Sequence, residues 1–202
     1  MDYRELASWL EELDSSVNLE EKIALIFLLT DVKPGVVLMS VSKGSNIYDF
    51  AEDFDLEVLQ VEGEDRSLLN RLIGRDNRFQ KDTVFLTKDD QRFEILEDEE
   101  PGFAGFTDES VGKFLGYPGS SLDYYGSVEV PGQDFREKIE ELDFSDEELK
   151  YLNLVFYVPV PEEDYVDEAI HEGRRRAEKL EDLSDETYVD LFEEYRERAL
   201  SD

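Results

Sequence analysis

Three observations predict an α/β or α+β protein, with a small mixed sheet of about five strands covered by helices and a helix-rich C-terminal half. Short β-branched apolar runs alternate with helix-length segments in the first half of the chain. Apolar residues recur at a spacing of three and four through most of the second half. Among 202 residues, 40% are apolar and 12% aromatic, enough to bury a core although 53 residues are Asp or Glu and the formal net charge is -32.

Leu6, Trp9, Leu10 and Leu13 give residues 2–13 the stripe of an amphipathic helix. Asn18 and Glu21 form a capping box for a second helix, whose run Ile23 to Leu29 is apolar nearly all round, as expected for a helix buried between other elements. Lys33-Pro34-Gly35 ends it. Val36 to Val41 then reads as a strand buried on both faces, residues 46–54 as a short helix and residues 56–61 as a second strand, together a βαβ unit with a parallel pair. Ser67 to Ile73 continues as a helix, with Leu68, Leu69, Leu72 and Ile73 inward. Thr83 to Thr87 and Arg92 to Leu96 flank Lys88-Asp89-Asp90-Gln91 and predict a hairpin.

Residues 97–106, rich in Glu, Pro and Gly, mark a boundary between lobes at 1–97 and 107–202 within a single domain. Thr107 and Asp108 cap a helix to Leu115, a turn-rich stretch runs to Gly132, and Phe135 to Leu142 is the next helix. Ser145 and Glu148 box a short turn through Tyr151. Residues 152–160 read as a fifth strand ended by prolines. Val166, Ala169, Ile170, Gly173, Ala177 and Leu180 share one face of a long helix, and Tyr188, Leu191, Phe192 and Tyr195 share one face of the last.

The charge narrows the function classes. Residues 1–60 carry net -9, 61–130 net -8 and 131–202 net -15, so the acid is spread along the chain. Self-repulsion of that size is relieved in about 1 M salt, where the Debye length is roughly 3 Å, and this predicts the salt-rich cytoplasm of a halophilic microbe, the alternative being a low-salt acidic protein built to bind cations or a basic partner. The longest apolar run falls far short of the roughly 20 residues a membrane span requires, and nucleic-acid binding is opposed by the net charge. With no Cys and a single His, disulfides, thiolate nucleophiles, Cys/His zinc sites and two-His metal sites are excluded.

The exception to the acidic background is residues 66–92, net +3, in which Arg71, Arg75, Arg78 and Lys81 are candidates for docking a protein partner or small anion. The plainer reading pairs these bases with neighbouring carboxylates. Ser42, Lys43, Gly44 and Ser45 follow a strand and open a helix, where backbone N–H groups and a lysine could hold phosphate with Mg²⁺, although the spacing is not that of a P-loop and an ordinary capped connection explains it more simply. His171, with Asp167 and Glu168 one turn before it, reads as an exposed ion pair rather than a ligand, and Arg174-Arg175-Arg176 as a solvated helix face.

The most distinctive stretch is Phe114-Leu115-Gly116-Tyr117-Pro118-Gly119-Ser120-Ser121-Leu122-Asp123-Tyr124-Tyr125. It resembles the signature of an uncharacterised, largely archaeal domain family in which F-L-G-Y-P precedes a pair of cysteines and an aromatic; Phe156 to Pro161 and the helix after it resemble a second feature of that family. Ser120 and Ser121 stand where the resemblance places thiols, so no cysteine-based metal or redox role carries over. Tyr117, Ser120, Ser121 and Tyr124 are candidate ligand contacts at this turn, the alternative being a helix-ending turn around a buried ring. Two functions follow: a non-catalytic binding or interaction module without a cofactor, or an enzyme acting on a phosphorylated or nucleotide ligand through Ser42–Ser45 and Mg²⁺.

Overall fold

Residues 84–87, Val-Phe-Leu-Thr, are buried without interruption, which only a central strand with both faces covered allows. In the computed structural model, which describes residues 2–42, 44–61, 81–96, 105–187 and 190–201, that strand is β3 (Lys81–Thr87), and it lies between β1 (Gly35–Ser42) and β2 (Glu57–Val61) in the order β1-β3-β2. Both neighbours run antiparallel to it. The expected βαβ unit is therefore corrected: β1 and β2 do run parallel to each other, but β3 separates them and no parallel pair forms. A strand–helix–strand pattern fixes direction without fixing adjacency, and here β3, buried without interruption from Val84 to Thr87, takes the middle.

Three described strands stand where about five were expected. Residues 92–96 are not the second arm of a hairpin; Asp90–Ile95 is a 3₁₀ turn, opened by the Asp89 carboxylate accepting from the Gln91 N–H. Its Phe93 ring stacks on Phe114 at 5.8 Å, a contact that period-two reading of so short a run cannot anticipate. Residues 152–160 are not a strand either, for a reason given below.

The chain forms two compact units, residues 9–116 and residues 117–202 with residues 1–8. In the first, the end of α1 (Tyr3–Glu12), from Trp9 on, leads through residues 13–18 to α2 (Leu19–Leu29), where Asn18 and Glu21 make the reciprocal capping box and Ile23 to Leu29 are all buried. Past Leu38 the strand β1 carries an extra residue, so that Val41 faces the core three positions after Leu38 instead of two. The Glu21 carboxylate accepts from the Met39 N–H inside that bulge at 2.8 Å, as well as from the Asn18 N–H. α3 (Ile47–Asp53) packs Phe50 edge-on to Trp9 and leads into β2. α4 (Asp108–Leu115), capped by Thr107, lays Phe114 against Phe85, and Gly35 is required beneath it because a Cβ there would sit 2.7 Å from the Phe114 ring.

The second unit is helical: α5 (Gly119–Ser127), α6 (Pro131–Ile139), α7 (Asp146–Leu149), a 3₁₀ turn at Lys150–Leu154, α8 (Glu163–Thr187) and α9 (Asp190–Ser201). α5 occupies what the sequence presents as a turn-rich stretch; its glycines and serines disguise Ser121 and Tyr124, which are buried on one face. α9 packs on α8 and on the 3₁₀ turn, enclosing Leu154, Val155, Val166, Ala169, Ile170, Ala177, Leu180, Leu183 and Phe192. Gly173 permits the approach of α8 to that turn, since a Cβ on it would lie 2.1 Å from the Tyr151 carbonyl oxygen.

Candidate functional site

The connection between β1 and α3 is organised around a carboxylate. The Ser45 N–H closes a turn on the Ser42 carbonyl at 3.0 Å, Gly44 takes φ +84°, and Ser45 is buried with its oxygen accepting from the Ile47 N–H. Burial alone would push the Asp14 carboxyl up, yet hydrogen bonds from the Ser16 hydroxyl and N–H, with Ser45 nearby, hold it below its ordinary value. Asn46 does not cap α3; its side chain spans to the Glu12 carbonyl and the Asp14 N–H. Ser45 is thus buried beside an ionised Asp14, whose negative charge opposes a phosphate there. Ser42 is exposed, and Lys43 lies outside the described residues.

At the distinctive turn, Gly116 ends α4 in the left-handed region at φ +78°, and a Cβ there would also meet Pro34 at 2.7 Å. Gly-Tyr-Pro is therefore a helix-terminating turn. The Tyr117 ring packs with Tyr125 (6.5 Å) and Tyr157 (5.8 Å). Ser120 is half-buried, Ser121 buried, and Tyr124 buried with its hydroxyl donating to Asp134 at 2.6 Å. Tyr117, Ser121 and Tyr124 share a neighbourhood with Tyr125 and Tyr157, but the Ser42–Ser45 loop belongs to the other unit.

The residue that sequence reasoning missed is Arg176. It is not part of a solvated face: it is 6% exposed, whereas Arg175 is exposed and Arg174 stands over the Tyr151 ring at 5.4 Å with Glu148 at 3.6 Å. The Arg176 guanidinium donates to the Leu154 and Val155 carbonyls at 2.6 and 2.7 Å and pairs with Glu172, one turn earlier on α8. The Tyr157 hydroxyl donates to the other Glu172 oxygen at 2.8 Å, and the Tyr125 hydroxyl accepts from the Val158 N–H. These side chains satisfy backbone groups that a sheet ladder would otherwise take, which is why residues 152–160 need no strand partner. Phe156 sits at φ +65°, rare for a ring-bearing residue, with the Arg176 guanidinium 5.8 Å from its ring. The signal in the sequence was the spacing: Arg176 falls on the stripe of Ala169, Gly173, Ala177 and Leu180.

The phenols and the guanidinium of this cluster keep their protons near neutral pH. Burial pushes the Tyr117 and Tyr125 phenols above their ordinary range, and burial plus the Glu172 carboxylate does the same to Tyr157. Burial also lowers Arg176, opposed by Glu172, but a guanidinium remains charged at any physiological pH. The phenols stay protonated as donors or apolar walls, and none is moved towards a general base. The His171 Nε2 lies on an exposed face 3.6 Å from the Asp167 carboxylate, the contact its spacing predicts.

Two described bases of the basic island close helix ends. Lys88 donates to the Leu29 carbonyl at the end of α2 and pairs with Asp31. Arg92 donates to the Lys113 and Phe114 carbonyls at the end of α4, with its own pKa lowered by burial. Lys81 pairs with Ser42 through the β1–β3 ladder, and Arg71, Arg75 and Arg78 lie outside the described residues. No group of three or more His, Cys, Asp or Glu among the described residues is arranged to hold a metal ion. No family model, curated protein or solved structure matches the chain.

Proposed function

We propose that this protein is a non-catalytic interaction module of a salt-rich, halophilic cytoplasm. The observation that carries the reading is the packing of the β1–α3 connection around a carboxylate: Asn46 is tied to the Asp14 N–H and the Glu12 carbonyl, and Ser45 is buried with its oxygen accepting from the Ile47 N–H, so the connection that the sequence suits to phosphate has an ionised Asp14 beside it. The Arg176 cluster supports it in the same sense, because its guanidinium and phenols are engaged with the protein's own backbone and Glu172. The net charge of -32 supports the salt-rich setting, since molar salt screens what would otherwise be strong self-repulsion. No helix among the described residues is long and apolar enough to cross a membrane.

The test is a thermal-shift measurement in 2 M KCl with Mg²⁺ and a panel of nucleotides and phosphorylated metabolites. A ligand that binds only the folded chain raises its melting temperature, so the module reading expects no shift with any of them. A saturable rise with one of these compounds, lost in Lys43→Ala, would replace the module with the phosphate-binding enzyme.

A further inference from the structure

From Tyr125 to Asn153, 29 consecutive residues contain no buried side chain, although the segment carries Val128, Val130, Phe135, Ile139, Leu142, Phe144 and Leu149. α6 is at its centre. Backbone hydrogen bonds from Glu141 to Lys138 and from Leu142 to Ile139 extend the helical turn to residue 142, so Phe135, Ile139 and Leu142 form one stripe at i, i+4 and i+7. All three are half-buried, and Val130, just before the helix, is 53% exposed. In its N-terminal turn the Asp134 carboxylate accepts from the Tyr124 hydroxyl.

The rim of this stripe has its own chemistry. Between Glu129 and Leu149 there are nine carboxylates and two bases, net -7 in 21 residues, about twice the charge density of the whole chain. Lys138 is used by Asp134, and Arg136 turns back to the Gly132 carbonyl. Among the described residues Glu129, Glu140, Glu141, Asp143 and Asp146 make no ion pair. An apolar stripe edged by unpaired carboxylates is complementary to a helix with the reverse pattern.

We propose that the α6 face, Val130 to Phe144, is the docking surface of the module and that its occupant is a basic amphipathic helix of a partner protein. Apolar side chains of the partner cover Phe135, Ile139 and Leu142, and its Lys or Arg residues reach Glu140, Glu141 and Asp143. In molar salt the attraction of a strongly acidic protein for any cation is screened beyond about 3 Å, so only contact-range pairs joined to apolar burial survive there. This assignment rests on the interaction-module reading and names the surface and partner chemistry within it.

The probe is a synthetic peptide of about fifteen residues with Leu at i, i+3, i+4 and i+7 and Lys or Arg elsewhere, set against a scrambled peptide of the same composition. Both are titrated in 2 M KCl into the full-length chain, with amide resonances as the readout. The expected result is saturable perturbation centred on residues 128–144 by the patterned peptide alone, weakened at least about tenfold by Phe135→Ser with Ile139→Ser. Because that pair could loosen the helix, Glu140→Lys with Glu141→Lys is measured too and is expected to weaken binding severalfold at an unchanged melting temperature. Equal binding of both peptides, perturbation elsewhere, or no binding at all overturns the proposal. So does a dimer in 2 M KCl that the Phe135→Ser, Ile139→Ser variant abolishes, because the occupant is then a second copy. The phosphate-ligand panel judges the module reading separately, so loss of the peptide result alone leaves that reading standing.

Discussion

Glu21 in the sheet unit and Arg176 in the helical unit perform the same task with opposite chemistry. Each is a buried charge that satisfies backbone groups stranded where the chain leaves a regular ladder: Glu21 accepts from Met39 in the β1 bulge, and Arg176 donates to the Leu154 and Val155 carbonyls. They differ in company. Arg176 has Glu172 beside it, while Glu21 has only backbone N–H groups and the neighbouring Glu20, so burial wins and its carboxyl rises above the ordinary range. A buried charge with a counter-ion is fixed in its state; one without becomes sensitive to pH.

Breaking the paired site has the largest expected effect. Arg176→Met leaves two buried carbonyls and one Glu172 oxygen without a donor and the carboxylate without its counter-ion, and urea unfolding in 2 M KCl should show a loss of about 3–5 kcal/mol. A loss below about 1 kcal/mol would mean that Arg176 does not hold residues 154–158. Gly173→Ala drives a Cβ into the Tyr151 carbonyl, for an expected cost of about 1–3 kcal/mol by the same measurement.

The unpaired site is tested by Glu21→Gln, which confronts one of two backbone N–H groups with a donor and should cost about 1–3 kcal/mol. Its pH dependence sharpens the contrast. A carboxyl whose folded pKa is raised contributes stability that is present below its unfolded pKa, near 4.3, and lost as pH climbs through the folded value. The variant lacks that titration, so the gap between native chain and variant should narrow from acid towards neutral pH. A gap that is flat or widens would contradict the assignment. The smallest effect belongs to Tyr157→Phe, which removes one hydrogen bond to Glu172 and should cost about 0.5–1.5 kcal/mol in the same unfolding assay.

Much of the fold was legible where the signal is local. The Asn18–Glu21 and Ser145–Glu148 capping boxes, the all-round burial of α2 and the inner stripe of α8 could be read directly, because caps and periodicity depend on residues within one or two turns. Strand adjacency was not, since β3 inserts between β1 and β2 through contacts distant in sequence. The misread strand at 152–160 has the same origin: its apolar pattern is real, but Arg176, more than twenty residues away, takes its carbonyls. At the candidate site, Gly116 was legible from the chemistry of helix ends. The roles of Ser45 and Arg176 were not, because charge runs and serines acquire meaning only from what the fold brings beside them.

The most direct test of the central claim, that this chain invests its convergent polar groups in its own fold and recognises partners by surface, is an amide-resonance titration with inorganic phosphate and with Mg²⁺-ADP in 2 M KCl. Gly44, Ser45 and Asn46 should show no saturable shift. Saturable movement of these three amides, abolished in Lys43→Ala, would contradict the account.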